Sequence, residues 1–409
     1  MTSNIGWLCY DLKEKERILK ILALFHEKNT RDELGLGSIT SSFADQLFPG
    51  TSTIHTRLRY MLFVPWIYKE LENEAVHLKK FAKKAEIEER NLIGSLMDTD
   101  DRAGIFGKAA GTDIKRLPSN VYWSALRTWG IFRLNCSQWI YHEIIDDIYR
   151  EREVLNAHRK GSKNQKDDID FGYQKDTWHP ALPPIPKNFP AKAEFALTEE
   201  ESNFILDRIN DSCKGSLLSY LANLPETADS ETPWGHPYYS EFSDEHKEIL
   251  AHARIFSDVM EGAAISYNFQ LAKLRNNKEL AKEHQNSFKK WNKDVRMKTI
   301  HEINDWSLER FWQIASNSKH RVTTFTTHFV NDWISFVKDL TKDLLSDPAA
   351  LELVKRREIS LKKINSRFTN QKALEQWSGY SGLGTYIFRW NNVKVLLKDL
   401  FQGLNKGTM

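Results

Sequence analysis

The chain has 409 residues, with 58 Lys and Arg against 55 Asp and Glu and a formal net charge of +3. Hydrophobic residues at 41% and charged residues at 28% are globular proportions, which excludes a wholly disordered, collagenous or membrane-spanning chain. The near-balance of charge excludes a histone-like polycation but not a local basic face. Three separated cysteines, Cys9, Cys136 and Cys213, offer neither a metal knuckle nor a disulfide framework.

The length predicts two or three domains. Met1–Tyr10 has no basic start followed by an apolar run. The longest apolar stretch, Leu58–Tyr68, is about half of the ~20 residues needed to cross a bilayer. A soluble, cytoplasmic protein is expected.

Asp11 is placed to cap a helix over about Leu12–Glu27, with Ile18, Leu19, Leu22 and Phe25 on one face. Glu70–Met97 has the same periodicity through Leu71, Ala75, Leu78, Ala82 and Ala85. Asn120–Trp129 and Gln138–Leu155 predict two further helices. Val322–Phe329, rich in threonine, is the best strand candidate, although Phe311-Trp312 and Trp333-Ile334 beside it fit a longer helical pattern. The expected fold class is mostly α, with at most small β elements.

Residues 157–191 join a polar tract to five of the twelve prolines, at 180, 183, 184, 186 and 190. Proline fixes φ and donates no hydrogen bond, so this stretch reads as a connector. It predicts an N-terminal helical domain at 1–156 and a C-terminal helical domain at 192–409. A second loop, Leu224–Glu241, holds Pro225, Pro233, Gly235 and Pro237. Trp66, Trp123, Trp129, Trp139, Trp306, Trp312, Trp333 and Trp390 fall in helical apolar patterns and are expected in the core. Trp178 and Trp234 sit in proline-rich loops, so they, with Tyr238 and Tyr239, are the candidates for partner contact.

The densest segment is Leu47-Phe-Pro-Gly-Thr-Ser-Thr-Ile-His-Thr-Arg-Leu-Arg-Tyr60. Pro49-Gly50 reads as a turn, with Thr51, Ser52 or Thr53 capping a helix that Pro65 ends or kinks. Other unusual strings are Gly6-Trp7, Arg31-Asp-Glu-Leu-Gly35, Arg116-Leu-Pro-Ser-Asn-Val-Tyr-Trp123 and Pro233-Trp234. Phe256-Ser-Asp-Val-Met-Glu-Gly-Ala-Ala264, Trp377-Ser-Gly-Tyr-Ser-Gly382 and Phe388-Arg-Trp390 complete the set. Over nearly its whole length the chain resembles the bacterial domain-of-unknown-function family 6361. It departs from that pattern at His55, where glutamine is common, and at Ser41-Ser42, where Arg-Asp is common. The resemblance implies no established activity. It implies a setting in antiviral defence gene clusters, beside a helicase and a nuclease of the phospholipase D type.

Arg57 and Arg59 have two readings. Arginine suits bidentate phosphate recognition, and a capped helix N-terminus would add free N–H groups. Alternatively both arginines pair with acids such as Asp45 or Glu33 and tie helices together. Basic clusters recur downstream. Leu271–Ile300 has nine Lys and Arg against three acids, including Lys289, Lys290, Lys293, Arg296 and Lys298. Leu351–Asn370 has six against two, namely Lys355, Arg356, Arg357, Lys362, Lys363 and Arg367, whereas Glu226–Glu248 has seven acids and one lysine. Such segregation fits a nucleic-acid backbone, a protein-docking face or a solvated helix.

On the helix around His252, Arg254, Asp258 and Glu261 share one face, and Gly262-Ala-Ala permits a close helix approach. Asp258 and Glu261 could hold a divalent cation or exchange protons, or Arg254 could pair with Asp258. His301-Glu302 lacks a second histidine, no P-loop occurs, and His77-Leu-Lys79 and His158-Arg-Lys160 lack the aspartate of a phospholipase D motif. Arg152…His158 has the spacing of some helical RNases, and Glu245-His-Lys247 lacks the preceding strand of a nuclease site. Gly379–Gly384 reads as a helix cap and turn rather than a phosphate cradle.

The expected function is a non-catalytic component of a bacterial anti-phage system that binds a partner helicase or nuclease and, through its basic clusters, DNA or RNA. No cofactor, metal or membrane is expected. The alternatives are a metal-dependent nuclease or nucleotide-processing enzyme using Asp258 and Glu261, or a phage-component sensor using the Trp234–Tyr239 loop.

Overall fold

A computed structural model describes residues 32–107, 114, 116–161, 176–225, 229–317 and 319–405, with 155–161 as backbone only. The helix expected at Leu12–Glu27, the Gly6-Trp7 string and the His158 side chain lie outside the described residues. Within them the regular elements are helices, and the only β pairing is an isolated bridge between Phe132 and Trp178. The fold is mostly α. Among the described residues no helix is long and apolar enough to cross a membrane.

The chain divides into two compact units, and not at the proline-rich segment. Phe48–Asp229 and the residues from Arg389 onward form one; the described residues up to Leu47 and Ser230–Phe388 form the other. The expected domains 1–156 and 192–409 are therefore corrected. Residues 176–191 belong to the first unit because their bulky side chains are part of its core. Trp178 is 4% exposed among Phe132, Trp123, Tyr141 and Tyr68, and Phe189 packs on Phe63 and Trp66.

In the first unit, the helix Tyr60–Asn73 packs against Leu78–Met97 and Pro118–Thr128. Its residues from Tyr60 to Tyr68 are all buried, so this stretch is a core helix wrapped on every side, with Pro65 inside it rather than at its end. The single helix expected over Glu70–Met97 is broken. Ala75 takes φ +47°, and Val76 N–H bonds back to Leu71 C=O at 3.0 Å, closing the first helix before His77 caps the second. Gln138–Leu155 is likewise two helices, Gln138–Glu143 and Ile145–Gly161.

The second unit is organised by Asp244–Leu274, a helix of 31 residues capped by the Ser243 hydroxyl. Lys278–Trp291, Thr324–Lys338 and Pro348–Lys362 pack along it. The close approach expected at Gly262 is present: a Cβ there would lie 2.4 Å from the Trp291 ring, whose Nε1–H donates to Asp258 C=O at 2.8 Å. The strand candidate Val322–Phe329 is corrected to helix. Thr323 caps it through its hydroxyl, and Phe329, Val330, Trp333, Ile334 and Val337 bury one face at helical spacing.

Candidate functional site

The Leu47–Tyr60 segment does not form the helix expected after Pro49-Gly50. Residues 51–59 are turns and extended backbone, and the helix starts at Tyr60. Side chains from elsewhere in the first unit take up its backbone groups. Trp129 Nε1–H donates to Pro49 C=O at 2.9 Å, Arg389 to Thr51 C=O at 2.8 Å, and Asn392 to Thr53 and His55 C=O at 3.1 and 2.8 Å. The Tyr122 hydroxyl accepts from Thr56 and Arg57 N–H and donates to Arg57 C=O. Gly50 has φ +78°, and a Cβ there would meet the Trp129 ring nitrogen at 2.5 Å. Glycine is required by both conformation and space.

Both arginines of the segment are engaged within the protein. Arg57 Nε donates to both carboxylate oxygens of Asp399, at 3.1 and 3.0 Å, and its Nη1 reaches Asp101 at 2.5 Å, with the guanidinium 4.3 Å from the Phe195 ring centre. Burial opposes the Arg57 charge, but its hydrogen bonds to Asp399 and Asp101 and their negative charge outweigh that and raise its pKa further. Arg59 Nη2 meets Glu201 at 2.7 Å and Nη1 meets Glu194 C=O at 2.9 Å. The pairing alternative thus describes both, with partners other than Asp45 and Glu33, and the phosphate reading is corrected: both guanidinium groups already face fixed acceptors, with only Arg59 Nε left over. Arg59 Nε has no hydrogen-bond partner and borders a cleft of about 440 Å³ between Phe63, Trp66, Phe189 and Ser95.

Trp178, expected to meet a partner, donates its N–H to Glu72 at 2.9 Å from inside the aromatic core. Arg152 holds the same carboxylate at 2.7 Å, so it too is a structural residue. Trp234 is half-buried, its ring 6.4 Å from Phe388, and Tyr238 and Tyr239 are half-buried beside it.

In the second unit the two basic clusters part company. The 355–367 cluster dissolves into internal contacts. Arg357 is 2% exposed, donates to Leu34 and Gly35 C=O and Thr326 Oγ1, and stacks on Phe325 and Phe329. Lys362 and Arg367 converge on Glu33, while Lys355 and Arg356 share Glu352. Only Lys363 of this set stands exposed with no acid at ion-pair distance among the described residues. Arg357, Lys362 and Arg367 are thereby corrected from phosphate ligands to internal ties, whereas Lys355 and Arg356 pair with Glu352 along their own helix and Lys363 stays exposed.

The 289–298 cluster behaves differently. Arg296 is buried and donates to Val337, Phe336, Asp339 and Lys342 C=O, closing the end of Thr324–Lys338, and Lys298 pairs with Asp294 at 3.2 Å. Lys289, Lys290 and Lys293 are exposed, and among the described residues no carboxylate lies within ion-pair distance of them. Lys278 and Lys282, which were not singled out above, share that condition. At 3.6 residues per turn, Lys278, Lys282, Gln285 and Lys289 fall within one narrow stripe, about a third of a turn round from the buried His284, Phe288 and Trp291. The signal was the i, i+4 spacing of Lys278 and Lys282.

Asp258 and Glu261 do lie on one face. Asp258 already faces Arg254 at 3.5 Å, and burial, against the pull of Arg254, pushes its carboxyl up to about 6. Burial also raises Glu261, which Lys290 opposes. Among the described residues no group of three or more His, Cys, Asp or Glu is placed to hold a metal ion.

The family model described as a family of unknown function (DUF6361) matches residues 2–403. The chain belongs to the DUF6361 family. Neither the curated proteins nor the solved structures contain a match. Strings of the resemblance that lie within the described residues have structural roles in this DUF6361 protein. Asn268 of the long helix accepts from Trp377 Nε1–H and Ser381 N–H and donates to Ser381 C=O, fixing the Trp377–Gly382 loop. His55 stacks flat on Tyr122 at 4.2 Å, and the buried Ser42 hydroxyl donates to Ile314 C=O at 3.1 Å.

Proposed function

We propose that this DUF6361 protein is a non-catalytic component of a bacterial antiviral defence assembly that binds a nucleic-acid backbone and a partner helicase or nuclease. The observation that carries the reading is the row of exposed lysines on Lys278–Trp291 with no carboxylate at ion-pair distance among the described residues. A solvated helix face ordinarily interleaves acids at i, i+4, which neutralise its lysines. Here the acids Glu279 and Glu283 stand to one side, and Glu283 accepts from the Tyr380 hydroxyl at 2.9 Å. An unneutralised row favours an external polyanion, with affinity that falls steeply with salt. The antiviral setting is what the family resemblance implies, and it enters the proposal on that ground alone.

The test is fluorescence anisotropy with labelled DNA at about 50 mM salt. The wild-type protein should bind, and the triple variant Lys282→Glu, Lys289→Glu, Lys293→Glu should bind at least about tenfold more weakly, with a salt slope lower by about two to three. Absence of binding by the wild type, or equal binding by the variant, overturns the nucleic-acid arm. For the partner arm, co-expression with the neighbouring helicase and nuclease should yield a complex on purification. Recovery of the protein alone overturns that arm.

A further inference from the structure

The row of lysines runs directly into a cavity. About 680 Å³ of space, mostly open to solvent, lies between Arg275, Asn276, Asn277, Lys278, Glu279, Ser378 and Tyr380, at the start of the Lys278–Trp291 helix. Tyr380 is 53% exposed, unusual for an aromatic ring in a protein whose largest aromatic side chains are buried. Its position is fixed from three sides. The ring packs edge-on against His284 at 5.6 Å, its hydroxyl donates to Glu283, and the preceding Gly379 C=O lies 2.9 Å from His284 Nε2. The loop that carries it is held by Asn268 and by Arg275, which donates to Trp377 C=O at 3.0 Å.

We propose that the Tyr380 cavity seats an unpaired nucleobase of a single-stranded nucleic acid whose phosphates follow the lysines of the Lys278–Trp291 helix. The inference deepens the polyanion reading above and rests on it. A preset, half-open aromatic ring beside unneutralised ammonium groups is the combination that binds single strands, because every base has a face to stack while the backbone supplies the charge. A duplex keeps its bases stacked on each other and offers the ring nothing. Asn276, Asn277 and Ser378 line the same cavity and supply neutral donors and acceptors for a base edge. From Lys278 to Lys289 the row rises about 16 Å, long enough for several phosphates.

The experiment measures anisotropy of a labelled mixed-sequence DNA strand and of its duplex with the full chain, at the same low salt. The single strand should bind at least about fivefold more tightly than the duplex. Tyr380→Ala should weaken single-strand binding about tenfold and leave the duplex unchanged, and Tyr380→Phe should keep most of the affinity. Equal binding of strand and duplex, with Tyr380→Ala silent while the lysine variant weakens both, overturns the stacking inference and leaves the polyanion reading standing. A loss in Tyr380→Phe as large as in Tyr380→Ala assigns the effect to the hydroxyl and also overturns it. If neither form of DNA binds the wild type, both readings fall.

Discussion

Arg57 Nε stands 3.0 Å from Asp399 Oδ2, joining two residues 342 positions apart within one compact unit. Asp399 accepts at the same time from Leu58 N–H at 2.8 Å. The pair therefore fixes both a side chain and the backbone just before the Tyr60 helix. Removing Arg57 strands the buried Asp399 with Leu58 N–H alone, and removing Asp399 leaves the Arg57 guanidinium with only the exposed Asp101 as a carboxylate partner. We expect Asp399→Ala to cost about 3 kcal/mol by denaturant unfolding, and the double replacement Arg57→Met, Asp399→Leu to cost less than the sum of the singles. Additive losses would show that the two residues act independently.

Glu89 is wholly buried, accepts from Ser119 N–H at 2.8 Å with one oxygen, and leaves the other without a partner. Burial, opposed by the Ser119 hydrogen bonds, pushes its carboxyl up to about 7. The folded state then binds the proton more tightly than the unfolded chain. Stability from this group is full below pH 4.5 and is lost as pH rises through about 7, by up to about 3 kcal/mol. His55 and His142, held near 4 chiefly by burial, run the other way and lose stability as pH falls from 6.5. The diagnostic is thus the difference between wild type and Glu89→Gln, which should grow between pH 5 and 8. A flat difference would refute the assignment.

Gly262→Ala sets helix propensity against packing. Alanine would gain about 1 kcal/mol in the helix, but its Cβ would press into the Trp291 ring at 2.4 Å. Overpacking of this kind costs about 1–3 kcal/mol, so the variant should be less stable by up to about 2 kcal/mol in urea unfolding. A gain in stability would mean that Trp291 swings aside freely.

Arg296 and Arg357 should report stability, not binding. Arg296→Lys replaces a planar fork reaching four carbonyls with one ammonium and should cost about 2 kcal/mol. The salt slope of DNA binding should remain that of the wild type. A reduced slope in the folded variant would return Arg296 to the ligand-contacting set.

The mostly helical character was legible because apolar spacing repeats at 3.6 residues through most of the chain. Helix breaks were less so: nothing in the Glu70–Met97 pattern announces the left-handed turn at Ala75. Thr323-Thr324 reads locally as strand, and the capping hydroxyl together with the buried Phe329–Val337 face overrides that preference. The basic clusters were visible, but their fates were not, since Arg357 meets Leu34 and Gly35 more than 300 positions away. Proline content misled at 176–191, where Trp178 and Phe189 make the segment part of a core rather than a tether. Tyr380 escaped notice because exposure is a property of the folded chain.

The Asn268 amide, which fixes the Trp377–Gly382 loop, carries no charge and titrates nowhere in the accessible range. It both donates and accepts, so this anchor of the loop is independent of salt and pH, whereas those from His284, Glu283 and Arg275 carry ionisable groups. If the lysines beside that loop hold a polyanion, as proposed, their grip weakens as ions accumulate while the Asn268 anchor does not. On the proposed reading, ionic strength would strip a bound strand without undoing the Asn268 anchor of the loop. Release would then be separated from any loss of the anchor that places Tyr380.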